Sequence, residues 1–514
     1  MSRDKFYLTT PIYYVNDVPH LGHAYTTVAC DFIARWRRMQ GRRVHFLTGT
    51  DEHGEKVART AAAKGLSPAE WTDEIVPRWT ELWAALDISH DDFIRTTEAR
   101  HEDAVRKFMS SLHQRDQIYL GSYEGLYCVG CEAFKQPDEL VDGNCPLHGV
   151  PPEVVEEDNY FFRLSDYRER LIELYESNPC FVMPEARRRE VLGKVRAGLE
   201  DLSISRVSFD WGVPIPWDPK HVTYVWVDAL QNYITAVGYG SDDELFERLW
   251  PADVHMVGKD ILWFHSVIWP AMLMALDLPL PETVFAHGFL QVGGEKMSKS
   301  KLTGISPHDL LPTFSSDGYR YFFAREVSFG QDGNFSWEAM AERYNSDLAN
   351  DLGNLVSRSL SMITRYLDGI IPAPPQPSEL EEAEHELRDK QRAAFEGMEK
   401  AIDEFLLHEA LRSCWGFVRG ANAYVEEVAP WALARQDSRR RRLEVVLYQL
   451  ADSLRLLALM VAPILPRAAD ELWRRLGEGG SVHERTHSSD ADWGLSAEGA
   501  KVATGAPLFP RIEE

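Results

Sequence analysis

Three groups of residues have types and spacings that could carry out chemistry. The first is Cys128-Val-Gly-Cys131, followed after thirteen intervening residues by Cys145-Pro-Leu-His148. Two ligand pairs, each spanning a tight turn, are typical of a zinc site with three thiolates and one imidazole. Because four protein ligands leave no position for an activated water, we expect one structural zinc ion per chain and no catalysis at this site.

A second group, His20-Leu-Gly-His23, lies where a short predicted strand is followed by a predicted helix. The first turn of a helix presents backbone N–H groups and the positive end of the helix dipole, which favour an anion. Two imidazoles there could hold phosphates, and Gly22 would let a nucleotide approach the backbone. Taken alone, the pattern favours ordinary surface or structural histidines, because no glycine-rich phosphate loop accompanies it.

The third group is Lys296-Met-Ser-Lys-Ser300, with Gly293-Gly294 before it and Lys301 after it. Small residues allow such a loop to bend, and its ammonium groups could move onto a polyphosphate. A cationic loop of this kind would stabilise the charge on a departing pyrophosphate without any covalent nucleophile. Taken alone, the segment is typical of a solvated lysine loop.

The elements around these groups predict a parallel sheet. Residues 6–10 and 43–48 are β-prone, and apolar residues recur at helical spacing between them, over residues 22–39. Strand, helix and strand in this order form a βαβ unit, whose ligand crevice lies at the carboxyl ends of the strands. Residues 254–257 and the helical pattern after them predict that the same sheet resumes late in the chain. The cysteines then belong to an insertion.

The second half of the chain is different in pattern. From about residue 335 onward, apolar residues recur near one face of successive helices, which predicts an α-helical domain. We therefore predict a sheet domain in two halves, an insertion with the zinc site, a helical domain and a C-terminal tail that docks on the body. The two halves of the sheet domain are expected at residues 1–115 and 210–334, with the insertion between them at residues 116–209. The helical domain is expected at residues 335–477 and the tail at residues 478–514.

Composition and charge limit the class of protein. The 514 residues are 44% hydrophobic and 26% charged, which indicates a folded chain of several domains. The net charge of −25 makes non-specific affinity for nucleic acid across the whole surface improbable, so local patches must meet any polyanion. Six unevenly spaced cysteines do not form a secreted disulfide scaffold. With no secretion signal and no long apolar run, we expect a cytoplasmic protein without a membrane span.

Together, the histidine and lysine motifs resemble the two signature motifs of class I aminoacyl-tRNA synthetases. Further segments are similar to the methionyl-tRNA synthetase family, over nearly the whole chain: Thr10-Pro-Ile-Tyr-Tyr-Val-Asn16, Thr48-Gly-Thr-Asp-Glu-His-Gly54, Tyr224-Val-Trp-Val-Asp-Ala229, Gly258-Lys-Asp-Ile261 and Trp269-Pro-Ala-Met272. The resemblance implies the bacterial type with a single zinc knuckle. The implied fold is α/β, with a Rossmann-like parallel-sheet catalytic domain, a zinc-binding connective insertion and a following α-helical anticodon-binding domain.

The resemblance also implies a reaction. Methionine attacks the α-phosphate of Mg2+-bound ATP to give methionyl adenylate, and the methionyl group then passes to the 3′ end of the tRNA. Such an in-line displacement needs chiefly positioning and charge stabilisation, which agrees with the lack of a nucleophile in the motifs. The implied catalytic residues are His20, His23, Lys296 and Lys299. The implied ATP-binding residues are Gly22, Gly258, Lys259, Asp260 and Lys299.

For the amino acid, the resemblance assigns Asp51 to the α-ammonium group. It assigns the thioether side chain to an aromatic and apolar pocket formed by Ile12, Tyr14, Trp226, Ala229, Tyr233, Ile261 and His265. Aromatic walls with one polar tip suit a flexible, polarizable thioether. Without the resemblance, Trp226 and Tyr233 would be read as a core stripe.

In the helical half, the resemblance implies that Asn354, Arg358 and Trp431 read the anticodon. Unpaired loop bases commonly stack on aromatic side chains, and Arg and Asn side chains bind their edges. Asn354 and Arg358 would otherwise be a solvated helix face. The implied partners are initiator and elongator tRNA(Met), L-methionine and ATP. Because no appended tRNA-binding module follows residue 514, we expect a monomer.

Two other functions compete with this hypothesis. Synthetases that edit other apolar amino acids carry a far longer insertion than the roughly 95 residues available between the two sheet halves. A catalytically silent paralogue could bind tRNA or regulate, but both signature motifs are intact here. Exchange of pyrophosphate into ATP in the presence of each amino acid separates these possibilities.

Overall fold

The computed structural model describes residues 4–131, 133–135, 137–292, 295–296 and 306–513. The first part alternates strands and helices as the βαβ pattern predicts. Its strands are β1 (Lys5–Thr9), β2 (Tyr13–Tyr14), β3 (Arg43–Asp51) and β4 (Asp92–Arg95). Its helices are α1 (Leu21–Met39), α2 (Glu55–Ala63), α3 (Pro68–Ala85) and α4 (Ala99–Gln114).

The middle part begins with a long antiparallel hairpin that carries the cysteines at its far end. Its elements are β5 (Ile118–Cys128), β6 (Ala133–Lys135), β7 (Glu153–Phe162), α5 (Arg168–Ser177), β8 (Val182–Met183), α6 (Glu185–Ala197), β9 (Leu202–Ser203), β10 (Ser205–Arg206), β11 (Pro214–Ile215) and β12 (Asp218–Thr223). Four of these strands form one sheet in the order β6-β5-β7-β9, and β10-β12-β11 form a second.

The chain then returns to the first sheet. The elements that follow are α7 (Val225–Leu230), α8 (Asn232–Thr235), α9 (Asp243–Leu249), β13 (Val254–Gly258), α10 (Trp269–Ala275), β14 (Val284–His287), β15 (Leu290–Val292), β16 (Glu295–Lys296), α11 (Pro307–Glu326) and β17 (Gly333–Phe335). A π-helical turn, Phe264–Ile268, leads into α10.

The central sheet has seven strands, and all of its pairings are parallel. Strand β1 lies in the middle, between β3 on one side and β13 on the other. The chain therefore moves outward from β1 in both directions, which creates a topological switch point where α/β proteins bind ligands. Residues of β1 alternate between two hydrophobic cores, with Phe6 and Leu8 in one and Tyr7 in the other. The predicted Rossmann-like class is confirmed.

One strand of the central sheet comes from an unexpected part of the sequence. Val182–Met183 lies inside the range 116–209 expected for the insertion, yet it pairs in parallel with β14 at the edge of the sheet. Leu171 and Val191, on the flanking helices α5 and α6, belong to the same core as the sheet. The part of this range that projects away from the sheet is therefore the β5–β7 hairpin with its cysteines.

The last part is helical. Its helices are α12 (Trp337–Arg343), α13 (Asn354–Leu367), α14 (Glu382–Asp403), α15 (Leu407–Val428), α16 (Pro430–Leu433), α17 (Arg440–Val461), α18 (Pro466–Arg475) and α19 (His487–Asp490), with a π-helical segment, Tyr344–Gly353, before α13. Helix α17 is buried over nearly its whole length and forms the centre of the bundle. In the described part of the chain, none of the helices is both long and apolar enough to cross a membrane.

The C-terminal residues pack on the helical bundle. Residues 369–371 pair with residues 500–502 through backbone hydrogen bonds. The side chain of Asn345 exchanges two hydrogen bonds of 2.9 Å with the backbone of Ile512. The ring of Phe509 is buried against Tyr344. The tail thus contributes to the same core as the bundle.

A fully buried arginine, Arg320 on α11, joins the sheet domain to the helical domain. Its Nη2 donates to Asp31 Oδ2 of α1 at 2.6 Å, and its Nη1 donates to the carbonyl of Leu86 at 3.0 Å. Two further hydrogen bonds reach the carbonyls of Pro463 and Ile464, between α17 and α18. One guanidinium group therefore connects four separate segments of the chain.

We expect Arg320→Met to lower the free energy of unfolding by about 3 to 5 kcal/mol, because it removes one of the two arginines that pair with the buried carboxylate of Asp31 and leaves three buried carbonyls without this donor. Urea-induced unfolding measures the loss. Arg78→Met is the matched control, since Arg78 pairs with Glu81 on the surface and both side chains are more than 60% exposed. Equal stability of the two variants would contradict the assigned role of Arg320.

Candidate functional site

A cavity of about 1950 Å3 opens at the carboxyl ends of the central strands. It begins at the switch point between β1 and β13 and extends to the cysteine–histidine cluster at the end of the β5–β7 hairpin. Most of the residues that the sequence assigned to ATP and methionine line it: Ile12, Tyr14, His20, Gly22, His23, Asp51, Trp226, Ala229, Tyr233, Gly258, Asp260, Ile261 and His265. One continuous space thus contains side chains from distant parts of the chain.

His20 and His23 form the N-terminal cap of α1. The backbone N–H of Gly22 donates to His20 Nδ1 at 3.1 Å, and the backbone N–H of His20 donates to His23 Nδ1 at 3.2 Å. The two rings stack with their centroids 3.7 Å apart. Because each Nδ1 accepts a hydrogen bond, the proton of each neutral ring lies on Nε2. Both Nε2–H groups are therefore donors of the kind that phosphate oxygens accept.

The geometry also explains the glycine of the motif. A Cβ atom at position 22 would lie 3.0 Å from His20 Cε1 and 3.2 Å from Nδ1. A side chain there would push the His20 ring away from the helix end that it caps. Gly22 therefore keeps the first turn of α1 accessible, where backbone N–H groups and the helix dipole favour an anion.

The aromatic pocket is deeper in the cavity, and its polar tip is a hydrogen-bonded pair. The hydroxyl of Tyr233, on α8, lies 2.7 Å from His265 Nε2, while His265 Nδ1 donates to the carbonyl of Ile261 at 2.9 Å. His265 Nε2 therefore accepts the proton of the Tyr233 hydroxyl. Burial lowers the pKa of His265 to about 4, so this ring is neutral at physiological pH.

Trp226 forms a wall of the same pocket. Its ring stacks on Phe264 with a centroid distance of 4.0 Å and an interplanar angle of 7°. Tyr14 meets it edge-on at 6.1 Å. Large, flat and apolar surfaces with one uncharged polar tip can hold an unbranched apolar side chain.

Asp51 is the last residue of β3 and is 2% exposed. The sheet positions it, because its backbone carbonyl accepts a hydrogen bond from Val15 and Tyr14 is its partner in the β2–β3 ladder. Lys56, at the start of α2, places its ammonium group 5.2 Å from the centroid of the Tyr14 ring. A buried carboxylate at this position can bind a cationic group of a small ligand.

The segment after β13 lies across the switch point from α1. A Cβ atom at Gly258 would lie 2.6 Å from Asp260 Oδ1, so glycine is required for the observed position of this carboxylate. Lys259 is not among the described lining residues of the cavity. Its Nζ lies 2.7 Å from both carboxylate oxygens of Asp332 and 4.5 Å from the centroid of the Phe289 ring.

The lysine motif is largely outside the described residues. Lys299 lies there, as does Lys301, and Lys296 is described only as part of the backbone of β16. Backbone pairing joins Lys296 to Gln291 of β15. The roles assigned to Lys296 and Lys299 stay predictions.

Sequence reasoning missed one histidine of the site. His287, the last residue of β14, lines the cavity, and its Nε2 lies 2.8 Å from the hydroxyl of Thr26 on α1. Burial lowers the pKa of His287, which favours its neutral form. The available signal was its position: β14 is the next parallel strand after β13, and its carboxyl end must open on the same crevice.

The four residues of the cysteine–histidine cluster come together as their spacing predicts. Their ligand atoms all lie within 4.8 Å of one another. Cys131 Sγ lies 3.6 Å from Cys145 Sγ, and His148 Nδ1 lies 3.7, 3.4 and 3.7 Å from the sulfurs of Cys128, Cys131 and Cys145. Donors bound tetrahedrally at about 2.0 to 2.3 Å from one ion are separated by about 3.3 to 3.8 Å. The donor set therefore fits a single metal ion of the size and softness of zinc.

Gly130 leaves room for the ring of His148 in the cysteine–histidine cluster. A Cβ atom there would lie 2.6 Å from the ring of His148, which would displace this ligand. Since Cys131, His148 and Gly130 also line the large cavity, the cysteine–histidine cluster forms part of its outer wall.

The three residues assigned to the anticodon meet on one face of the helical domain. Asn354 and Arg358 are one turn apart on α13, and Asn354 is exposed. The guanidinium carbon of Arg358 lies 5.9 Å from the centroid of the Trp431 ring, and its Nη2 donates to Glu426 at 2.6 Å. An indole, a guanidinium and an exposed amide are thus adjacent, as stacking and edge recognition of unpaired bases require.

Comparison with known proteins agrees with both parts of this arrangement. A family model described as class I tRNA synthetases (M) matches residues 6–150 and 131–360. A second model, the anticodon-binding domain of tRNA ligases, matches residues 384–503. The sheet domain and the helical domain are therefore each recognised independently.

Known methionine–tRNA ligases are similar over nearly the whole of this chain. The methionine–tRNA ligase of Streptomyces coelicolor is 52% identical over 99% of this chain and 97% of that protein. The corresponding ligase of Caldanaerobacter subterraneus is 50% identical over 99% of this chain and 79% of its own length. The solved structure of Mycobacterium tuberculosis methionyl-tRNA synthetase with methionyl-adenylate superimposes with a TM-score of 0.94 at 43% identity, covering 99% of this chain and all of that one. With motifs, fold and relatives in agreement, the chain belongs to the methionine–tRNA ligase family of the class I aminoacyl-tRNA synthetases.

Proposed function

We propose that this chain activates L-methionine with Mg2+-bound ATP and transfers the methionyl group to the 3′ end of tRNA(Met). The observation that supports this most directly is the continuous cavity at the switch point. It contains a helix N-terminus capped by two histidines, a buried carboxylate and an aromatic pocket with a neutral polar tip. These are the groups needed for a triphosphate, an α-ammonium group and a thioether.

Methionine binds in the deeper part of the cavity. Asp51 accepts hydrogen bonds from the α-ammonium group, and Ile12, Tyr14, Trp226, Ala229 and Ile261 surround the side chain. The hydroxyl of Tyr233 donates to His265 Nε2, so its oxygen faces the thioether without a charge. A pocket whose polar tip is already satisfied discriminates against side chains that carry a hydroxyl or a charge of their own.

Adenylate formation is an in-line displacement. A carboxylate oxygen of methionine attacks the α-phosphorus of ATP, and the bond from this phosphorus to the bridging oxygen breaks as pyrophosphate leaves. The Nε2–H groups of His20 and His23 and the first turn of α1 donate to the phosphates. Gly258 and Asp260 bind the ribose with Lys259 beside them, and Lys296 and Lys299 hold the departing pyrophosphate. The terminal ribose hydroxyl of the tRNA then attacks the carbonyl carbon, and AMP leaves.

Zinc has a structural role in this proposal. Cys128, Cys131, Cys145 and His148 hold one ion with a closed coordination sphere, and it takes part in no step. Its contribution is to fix the end of the β5–β7 hairpin, which forms the outer wall of the cavity.

The helical domain recognises the tRNA. Asn354, Arg358 and Trp431 bind the unpaired bases of the anticodon, which initiator and elongator tRNA(Met) share. Because the cavity and the anticodon face are both built from one chain, no second copy is needed, and we propose a monomer. ATP, methionine and tRNA occur together in the cytoplasm, which is the compartment we propose for it.

Pyrophosphate exchange tests the proposed activity. We expect exchange into ATP with methionine and its close analogues, in the presence of Mg2+, and with none of the other nineteen common amino acids. A silent paralogue would show no exchange at all, and robust exchange with leucine or cysteine would contradict the pocket.

The same assay examines the polar tip. Tyr233→Phe leaves His265 Nε2 without its donor, which costs about 1 to 3 kcal/mol and raises the KM for methionine accordingly. Tyr319→Phe is the matched control, because the Tyr319 hydroxyl is buried in α11 and has no hydrogen-bond partner in the described structure. An unchanged KM in Tyr233→Phe would rule out this contact.

Metal analysis tests the cysteine–histidine cluster. We expect one zinc ion per chain, and we expect Cys145→Ala to lose it, because three remaining donors no longer close the coordination sphere. The β5–β7 hairpin should then become sensitive to proteases while the sheet domain stays folded. Cys180→Ala, at an exposed cysteine outside the cluster, should keep the metal. Carefully purified wild-type protein without zinc would contradict the assignment.

Two variants distinguish recognition of the tRNA from formation of the adenylate. Trp431→Ala should weaken tRNA charging by the roughly 1 to 3 kcal/mol of a lost base stack, and leave exchange nearly unchanged. Lys299→Ala should reduce exchange first, because its proposed partner is pyrophosphate. Since the two positions lie in different domains, their effects should add in the double variant.

Trp337→Ala serves as the control for Trp431→Ala. Trp337, the first residue of α12, is 42% exposed, and its ring packs on Phe314 of α11. A large loss of exchange in Trp431→Ala would mean that this tryptophan holds the fold and does not read the anticodon.

A further inference from the structure

A buried cluster of charge lies beside the cavity and is not part of its lining. The carboxylate of Asp228, on α7, accepts two hydrogen bonds, from His53 Nδ1 at 2.7 Å and from His101 Nε2 at 2.8 Å. His101, on α4, is itself held by the hydroxyl of Thr235 at 2.8 Å. Asp228 and His101 are completely buried, and His53 is 3% exposed. We call these three residues the histidine–aspartate cluster.

Each end of this cluster is next to a residue of the proposed methionine pocket. His53 comes two residues after Asp51, the proposed ligand of the ammonium group. Asp228 stands two residues after Trp226 and directly before Ala229. The hydrogen bond between His53 and Asp228 therefore ties the end of β3 to α7, the element that carries the side-chain wall.

Glu52 also holds the segment after β3, but it attaches this segment to β4 and not to α7. Glu52 binds the guanidinium of Arg95 through both oxygens, at 2.7 and 2.9 Å, which attaches the segment to β4. The indole of Trp211 donates to the Glu52 carbonyl at 2.6 Å. The hydrogen bond from His53, in contrast, reaches Asp228 on α7.

The electrostatics agree with a pair of opposite charges. Burial would raise the pKa of Asp228, but the charge of His53 and the hydrogen bonds from both histidines lower it to about 2. Burial would lower the pKa of His53, yet the neighbouring Asp228, together with Glu102 and Glu52, raises it. A buried ion pair that loses one partner leaves the other charge uncompensated, so each residue depends on the other.

We propose that His53, Asp228 and His101 are positioning residues that hold Asp51 and α7 at a fixed separation and thereby set the affinity for methionine without touching it. This inference rests on the proposed function of the cavity. A ligand held at its ammonium end by β3 and at its side chain by α7 binds well only when the distance between these two elements matches the length of the ligand.

Kinetics of pyrophosphate exchange test the proposal. We expect Asp228→Asn and His53→Gln each to raise the KM for methionine by about tenfold to a hundredfold, as when a group that orients a ligand-binding residue is lost. The KM for ATP and kcat should change far less. Because both variants break the same contact, the double variant should be less impaired than the product of the single effects.

Asp452→Asn is the matched control. Asp452 is also a completely buried carboxylate, paired with Arg455 at 2.6 Å, but it lies on α17 in the helical domain. It should lose stability without changing the KM for methionine.

Two results would overturn the proposal. One is an unchanged ratio of the two KM values in both single variants, and the other is a parallel change of KM and kcat that follows thermal stability, as in a merely structural role. The proposed function fails in a different way, because wild-type protein would then show no methionine-dependent exchange.

Discussion

The position of α1, which begins with the two histidines of the candidate site, depends on one buried guanidinium group. Arg320 bonds to Asp31 in the middle of α1, to the end of α3 and to the junction of α17 and α18. Helix α1 begins with His20 and His23, so the same rigid element carries the double-histidine cap and the domain junction. Because a buried arginine must satisfy its donors, the three helical segments cannot shift independently. The site and the helical domain are therefore parts of one framework.

Local chemistry explains why much of the site could be predicted from the sequence. The cysteine–histidine cluster depends on ligand spacing across tight turns, and this spacing is a local property that does not depend on the rest of the fold. The cap of α1 likewise depends on residues three apart in the chain. The proposed methionine pocket was identified through resemblance and not through periodicity, because Trp226 and Tyr233 have the spacing of an ordinary core stripe. The structure brings both into one cavity with Asp51.

What could not be predicted depends on contacts between distant segments. Val182–Met183 is too short for a strand pattern, and it becomes part of the sheet only because β14 offers a free edge. His53 and His101 carry no sequence signal of a partner, since Asp228 lies more than a hundred residues away. Such pairs form when distant segments are buried against each other, and a local pattern in a single sequence does not show which segments these are.

The double cap of α1 restricts which amino acids could stand in the histidine motif. Each imidazole uses Nδ1 as an acceptor for a backbone N–H and keeps a donor on the opposite side of the ring. Lysine or arginine would attract a phosphate, but neither has an acceptor with which to cap the helix. Aspartate would cap the helix and repel the phosphate. Histidine combines the two properties on one small ring, so the same two side chains can cap the helix and donate to the proposed phosphate ligand.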